Sequence, residues 1–452
     1  MKIVKAKDLQ KDFFDYQEMD EIDTVKQVIF AVKNQGNKAI IEYTEKFDKI
    51  KLKKFEVTKK EIQKAYKEVN KETIIALKKA TINIKFFAKK QMKTIKPFEV
   101  KNNGIILGQK IVPIERVGCY VPGGLYPLPS TALMCIIPAK IAGVKEIIVC
   151  SPKIKFETIV AADIAGADRI FNVGGIQAIA GMAYGTKSIP KVNKIVGPGN
   201  KFVTAAKKEC YGIVGIDFLA GPSEVLIIAD DSANPEILAA DLLAQAEHDP
   251  NARAILITTS KTIAKKTMEE IEKQLKELPT QETAKKSISQ STIILVNSIK
   301  QAIEISNKKA PEHLELQIEN ASKIIPKLTN YGSLFIGKYS AEVFGDYCSG
   351  TNHTLPTNGA AKYTGGLSVK DFVKILTYQN ISKKASKEMI QIASALAKTE
   401  GLEAHKKAAE KRKNKTYPLQ ENDLNVVVKC GDEHSIMSSV CSFLDSLFCE
   451  LV

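Results

Sequence analysis

The residues of this chain that can do chemistry gather in a few short stretches. In residues 241–250 (DLLAQAEHDP), Gln245 and His248 lie three apart. On a helix that spacing sends a carbonyl oxygen and an imidazole from one face of the last turn, which is half of a metal site. Residues 310–316 (APEHLEL) place Glu312 and His313 side by side ahead of a strand. In a turn both can reach one cavity, where they supply two proton acceptors. Residues 345–353 (GDYCSGTNH) are polar and turn-rich, the composition of a binding loop, and they carry Asp346 and His353. Glu400 and His405 stand in a basic C-terminal helix. Each stretch alone is also the ordinary pattern of a polar helix end, a capped loop or a solvated helix face. Together they hold four of the chain's five histidines. With Gln245 and Asp346, and without cysteine, that donor set suits a hard or borderline ion, zinc first.

A second kind of signal is glycine. Three glycine turns follow strands or precede helices: residues 118–124 (GCYVPGG), 173–177 (VGGIQ) and 197–200 (GPGN). Such turns let backbone amides approach a phosphate, and the helix start favours its charge. None matches the dinucleotide fingerprint G-x-G-x-x-G, because the run from Gly197 lacks the third glycine. One turn of this kind is an ordinary tight turn, whereas three in one α/β unit leave a nucleotide site and ordinary turns equally open. Residues 220–224 (AGPSE) put Ser223 at a strand start without the nucleophile-elbow pattern, so Ser223 is a candidate binding hydroxyl. Cys119 has no histidine near it in sequence and reads as a small buried hydrophobe.

The elements that must position these residues alternate. Residues 1 to about 110 read as mainly helical, with an apolar stripe over 22–32 and a capping box at Thr58 and Glu61 opening a long amphipathic segment toward Lys93. Strands follow at 111–117, 146–150, 169–173 and 194–196, with helices between them; Ser130 and Thr131 read as the cap of an apolar helix ending at Gly143. The alternation repeats with strands at 224–229, 254–258, 292–296, 314–318 and 333–336. Asn234, Pro235 and Glu236 start the helix that carries Gln245 and His248, and the Asp249–Pro250 pair stops it. After Gly366 the chain reads as helical again, through 386–398 and 400–413. The expected fold class is α/β: two tandem Rossmann-like parallel-sheet units with helical N-terminal and C-terminal segments.

The totals exclude several classes. No apolar run approaches the roughly 20 residues needed to span a bilayer, and the N-terminus has no apolar signal core. Eight cysteines without paired spacing read as reduced thiols of a cytoplasmic protein. The net charge of +15 comes from 66 basic against 51 acidic residues. It is mostly lysine along helices, with little arginine or aromatic interleaving, so solvated faces explain it better than nucleic acid. A zinc-dependent hydrolase would explain the His/Asp/Gln set but not the glycine turns; a nucleic-acid binder would explain the charge alone.

In combination, residues 117–124, 197–200, 220–224, 245–248, 310–314 and 345–353 resemble histidinol dehydrogenase, in order and with no motif missing, from about residue 20 to 415. The resemblance implies zinc ligands at Gln245, His248, Asp346 and His405 and a proton-transfer pair at Glu312 and His313. It implies substrate contacts at Ser223, Gln245, His248, His313, Asp346, Glu400 and His405, to which the loop position of His353 adds a candidate. NAD contacts fall on Tyr120, Gln177 and Asn200. The implied activity is oxidation of L-histidinol to L-histidine through L-histidinal in two NAD-dependent steps, the last of histidine biosynthesis. The implied assembly is a homodimer with shared active sites, in which the C-terminal histidine crosses to the partner. The expected organisation is an N-terminal helical segment, 1–22, and a first α/β domain, 23–119 with 224–366, holding metal and catalytic residues. A cofactor-binding α/β domain, 120–223, and a dimer-swapped helical tail, 367–452, complete it. The stretch from about 417 departs from the family pattern.

Overall fold

The computed structural model describes residues 1–14, 23–52, 54–123 and 126–412. Gly124 and the atypical stretch from 417 lie outside these. The chain forms two compact units, Met1–Pro97 with Lys110–Leu376, and Phe98–Gln109 with the chain from Thr377 onward.

Two parallel sheets organise the first unit. One runs, in spatial order, Arg169–Phe171, Glu146–Cys150, Arg116–Tyr120, Lys194–Val196, Gly215–Ile216. The other runs Lys2–Lys5, Thr292–Leu295, Arg253–Thr258, Glu224–Ala229, His313–Gln317, Ser333–Ile336. The α/β alternation expected from sequence is therefore present, with a parallel sheet in each half. Central strands such as Glu224–Ala229 (EVLIIA) are buried along their whole length, because helices cover both faces of a parallel sheet. Helices Asp23–Gln35, Lys59–Glu68 and Lys71–Thr94 contribute their buried residues to the two cores flanking the first sheet. Those cores also hold residues of 116–216 and Leu367, Val369 and Phe372.

The second unit carries strand Phe98–Asn102, the part of its antiparallel partner Ile105–Pro113 up to Gln109, the part of Val373–Ile381 from Thr377, and the helices Ser386–Thr399 and Glu403–Glu410.

Several local expectations are corrected. Lys2–Lys5, expected in a helical segment, is a strand that joins the sheet edge beside Thr292–Leu295. The capping box at Thr58 and Glu61 is formed, but its helix ends at Glu68 and a new one starts at Lys71, with the Asn70 side chain accepting from the Thr73 amide. Ser130 and Thr131 do not cap their helix; Pro129 occupies its first turn, and both residues are buried inside it. The expected strand over 111–117 is two strands, ending at Pro113 and resuming at Arg116. The chain after Gly366 is not helical throughout, since Val373–Ile381 is a strand. The helix carrying Gln245 ends at Ala246, so His248 lies just beyond it rather than on its last turn.

Candidate active site

Strand His313–Gln317 (HLELQ) builds the site. Its alternation sends Leu314 and Leu316 into an apolar core and His313, Glu315 and Gln317 to the opposite face. All five residues are buried. The polar face meets further buried acids: Asp241 on helix Pro235–Ala246, and Glu342 and Asp346 on the short helix Glu342–Tyr347.

Glu312 and His313 are delivered by an unusual turn. Helix Ile299–Lys309 ends at Ala310, which is buried in left-handed backbone with φ +56°. For a non-glycine residue this costs roughly 1–2 kcal/mol, and such conformations persist only where the surroundings hold them. Pro311 then directs the chain into the strand. On the far side Gly332 lets the neighbouring segment close in: a Cβ there would lie 2.5 Å from the Glu312 carbonyl oxygen, which instead accepts from the Ser333 amide.

The ring of His313 has distinct surroundings at its two nitrogens. Nδ1 lies 3.4 Å from the Glu224 carbonyl oxygen and 3.4 Å from Glu342 Oε1, with Glu312 Oε2 at 3.8 Å. Nδ1 faces the Glu224 carbonyl, which can only accept, and so carries a proton. Nε2 is buried, has no hydrogen-bond partner and lies 3.5 Å from Asp346 Oδ1. Burial opposes charge on this imidazole, but Glu342, Glu312 and Asp346 outweigh it and hold its pKa well above the usual value. Glu312 Oε2 accepts from the Glu224 amide at 3.0 Å. Burial raises the Glu312 carboxyl to about 8, with His313 and the Glu224 amide pulling the other way. Glu342 likewise reaches about 8 through burial, tempered by His313. Glu315 is pushed to about 9 by burial and by neighbouring Asp241, itself raised by burial. Asp346 goes the opposite way: burial would raise it, yet the nearby imidazole of His313 and, more weakly, those of His353 and His248 bring it below the ordinary value.

The remaining expected residues are distributed as follows. Gln245 is buried, and its Oε1 has no hydrogen-bond partner. His248 is exposed, close enough for its charge to act on Asp346. His353 has both ring nitrogens engaged, Nδ1 by the Asp346 carbonyl at 2.8 Å and Nε2 by the Thr131 hydroxyl at 3.1 Å, so it holds Asp346 from behind. Burial lowers its pKa and keeps it neutral. Ser223 precedes strand Glu224–Ala229, its carbonyl accepting from the Arg253 amide. Glu400 caps helix Ser386–Thr399, and His405 is exposed on Glu403–Glu410, both in the second unit.

Around the first sheet, Tyr120 is buried and its hydroxyl accepts from the Gly175 amide at 3.1 Å, at the start of helix Gly175–Tyr184. Gln177 is buried, with Nε2 3.3 Å from Asp48 Oδ2 and Oε1 unpartnered. Asn200 caps helix Lys201–Cys210, its Oδ1 accepting from the Phe202 and Val203 amides. Cys119 is buried as expected, and burial raises its thiol far above the reactive range.

Three residues of the site were not foreseen. Glu342 stands four residues before Asp346, on the same face of one helix turn, and that spacing was the available signal. Glu224 and Thr131 act through a backbone and a hydroxyl for which the sequence offers none. Among the described residues, donor atoms of His313, Glu342 and Asp346 lie within 4.8 Å of one another. A cation there would share only Asp346 with the expected zinc set.

The comparisons agree with this architecture. The sequence profile of histidinol dehydrogenase matches residues 14–413. Histidinol dehydrogenase of Methanocaldococcus jannaschii is 48% identical over 394 residues, covering 86% of this chain and 92% of that protein. The Clostridium acetobutylicum enzyme of the same name is 48% identical over 390 residues, covering 85% and 90%. The crystal structure of histidinol dehydrogenase from Elizabethkingia anophelis superposes with a TM-score of 0.86 at 41% identity, covering 91% of this chain and 98% of that one. A profile match over nearly the whole chain, close relatives of near-equal length and a shared fold place this chain in the histidinol dehydrogenase family.

Proposed function

We propose that the protein oxidises L-histidinol to L-histidine through L-histidinal, in two NAD-dependent steps that complete histidine biosynthesis in the cytoplasm. The observation that carries the reading is His313: a buried imidazole with Nδ1 held by acceptors and Nε2 left free. In the neutral form of the ring, with the proton on Nδ1, Nε2 is the atom that takes the alcohol proton in the first oxidation and serves again when the aldehyde hydrate is oxidised. Glu312 is anchored through Oε2, which leaves Oε1 to orient the water that adds to the aldehyde and, once the carboxyl has ionised, to take its proton.

NAD, when bound, accepts a hydride in each oxidation. Tyr120, Gln177 and Asn200 are the residues we assign to it. The unpartnered Gln177 Oε1 fits a hydrogen-bond donor such as a ribose hydroxyl, and the helix start at Gly175 fits an anionic group. For zinc, the unpartnered buried Gln245 Oε1 and the depressed Asp346 carboxylate fit a cation. We assign it to Gln245, His248 and Asp346 of one subunit, with His405 supplied by the other subunit of a homodimer. This set is preferred over the cluster of His313, Glu342 and Asp346, because an imidazole bound to metal through Nε2 cannot also carry protons. A zinc ion there would hold the amine and imidazole of the substrate as a template. Ser223, His353 and Glu400 complete the proposed substrate surroundings, His353 through Asp346.

A steady-state assay with histidinol and NAD tests the reading. NADH should form, and prolonged chelation should abolish turnover while NAD binding persists. Full activity in protein shown by elemental analysis to be metal-free would sink the zinc assignment.

A further inference from the structure

Lys309 and Glu224 form an ion pair at 3.2 Å, with side chains only 5% and 3% exposed. Burying two charges is expensive, and an apolar pair of similar volume is often at least as stable. Stability is therefore a weak reason for this pair, and its connections suggest a better one.

Glu224 is the first residue of its strand, where backbone is least constrained by ladder hydrogen bonds. Yet both of its backbone groups serve the reacting pair. Its amide donates to Glu312 Oε2 at 3.0 Å, and its carbonyl faces His313 Nδ1 at 3.4 Å. The side chain is fixed at both oxygens, Oε1 by the Asn358 amide at 3.0 Å and Oε2 by Lys309. Lys309 in turn is the last residue of its helix, immediately before the left-handed Ala310 and then Pro311, Glu312 and His313. The contacts close a ring: the Lys309 side chain holds the Glu224 side chain, the Glu224 backbone holds Glu312 and His313, and the chain returns to Lys309 within four residues. The parallel pairing of His313 with Val225 keeps the two segments level.

We propose that the Lys309–Glu224 ion pair is a positioning device for the proton-transfer pair, locking Glu224's amide and carbonyl where they orient the Glu312 carboxylate and the His313 ring. Neither Lys309 nor the Glu224 side chain touches substrate in this account. The inference rests on the roles assigned above to Glu312 and His313. A loosened Glu224 backbone would let both groups drift, so both oxidations would slow together, without weaker binding of substrate or cofactor.

The test compares Lys309→Met with the charge-balanced double variant Lys309→Met/Glu224→Gln, alongside His313→Ala. The double variant leaves no unpaired buried charge, so it decides if Lys309→Met does not fold. The expected result is a kcat at least tenfold below wild type, with KM for histidinol and for NAD within twofold and metal content unchanged. The single-turnover NADH burst from histidinol and the oxidation of supplied histidinal should slow by similar factors. A folded variant with kcat within twofold of wild type, while His313→Ala is inactive, overturns the positioning role but leaves the roles of the pair intact. Unimpaired turnover by His313→Ala would instead overturn the reading on which the inference stands. A rise in KM with kcat unchanged would also overturn it, because it would place the ion pair in binding.

Discussion

Strands Glu146–Cys150 and His313–Gln317 hold matching places, each second from one edge of a parallel sheet. The first reads EIIVC and is apolar toward the cores on both of its faces. The second reads HLELQ and is apolar on one face only, with Leu314 and Leu316 in a core and three polar side chains on the other. The same architecture thus supports two ways of acting. The first sheet lies between two hydrocarbon cores, with the buried ion pair of Lys207 and Asp217 beside it, and has glycine turns and helix starts at its ends. The second brings ionisable groups into the interior and accepts the burial cost, which it limits by leaving Glu312, Glu315 and Glu342 neutral over much of the pH range.

The largest expected effect separates the two members of the pair on the polar strand. His313→Ala should slow both oxidations by about 10²–10⁴. Glu312→Gln should slow aldehyde oxidation by at least about 10² while sparing the first NADH burst from histidinol. Loss of that burst in Glu312→Gln, with supplied aldehyde oxidised normally, would reverse the assignment.

The next effect concerns stability rather than rate. Glu315 holds its proton in the folded protein up to about pH 9, whereas an unfolded glutamate releases it near 4.5. The folded state therefore binds more protons across this window, and its contribution, full below pH 4.5, is lost as pH rises toward 9. Glu312, Glu342 and Asp241 are raised too and act in the same direction. Urea midpoints of metal-free protein should fall between pH 5.5 and 8.5, and Glu315→Gln should flatten that fall. Parallel curves for the two proteins would mean that Glu315 is not protonated in the fold.

The smallest effect belongs to the apolar sheet. Tyr120→Phe removes the acceptor for the Gly175 amide, a loss of about 1 kcal/mol, or close to fivefold in NAD affinity. Metal content and the pH profile of stability should not change. Unaltered NAD affinity, by titration calorimetry, would remove Tyr120 from the cofactor site.

Strands such as Lys194–Val196 and Glu224–Ala229 were legible to the residue, because a doubly covered parallel strand leaves an apolar run bounded by turn residues. Val373–Ile381 was not, since its lysine, threonine and glutamine resemble a solvated helix and its identity comes from pairing with a hairpin far away in sequence. Glu312, His313 and Asp346 announced themselves as polar groups in odd surroundings. Glu342 had no such marker, sitting in an ordinary AEVFGDY run. Thr131 read as a cap because a hydroxyl near a helix start usually is one, yet Pro129 had already set the start, leaving the hydroxyl free for His353.

The two-faced strand also governs which length changes the gene can accept. Side chains alternate with a period of two, so one residue added or lost between Ala310 and His313 would rotate the whole strand. Leu314 and Leu316 would then face the acids, and His313, Glu315 and Gln317 would enter hydrocarbon. The apolar strand Glu146–Cys150 would survive such a slip with its burial almost unchanged, since either face is hydrocarbon. Insertions and deletions are therefore tolerable at one end of the molecule's architecture and ruinous at the other, even where neither touches a reacting atom.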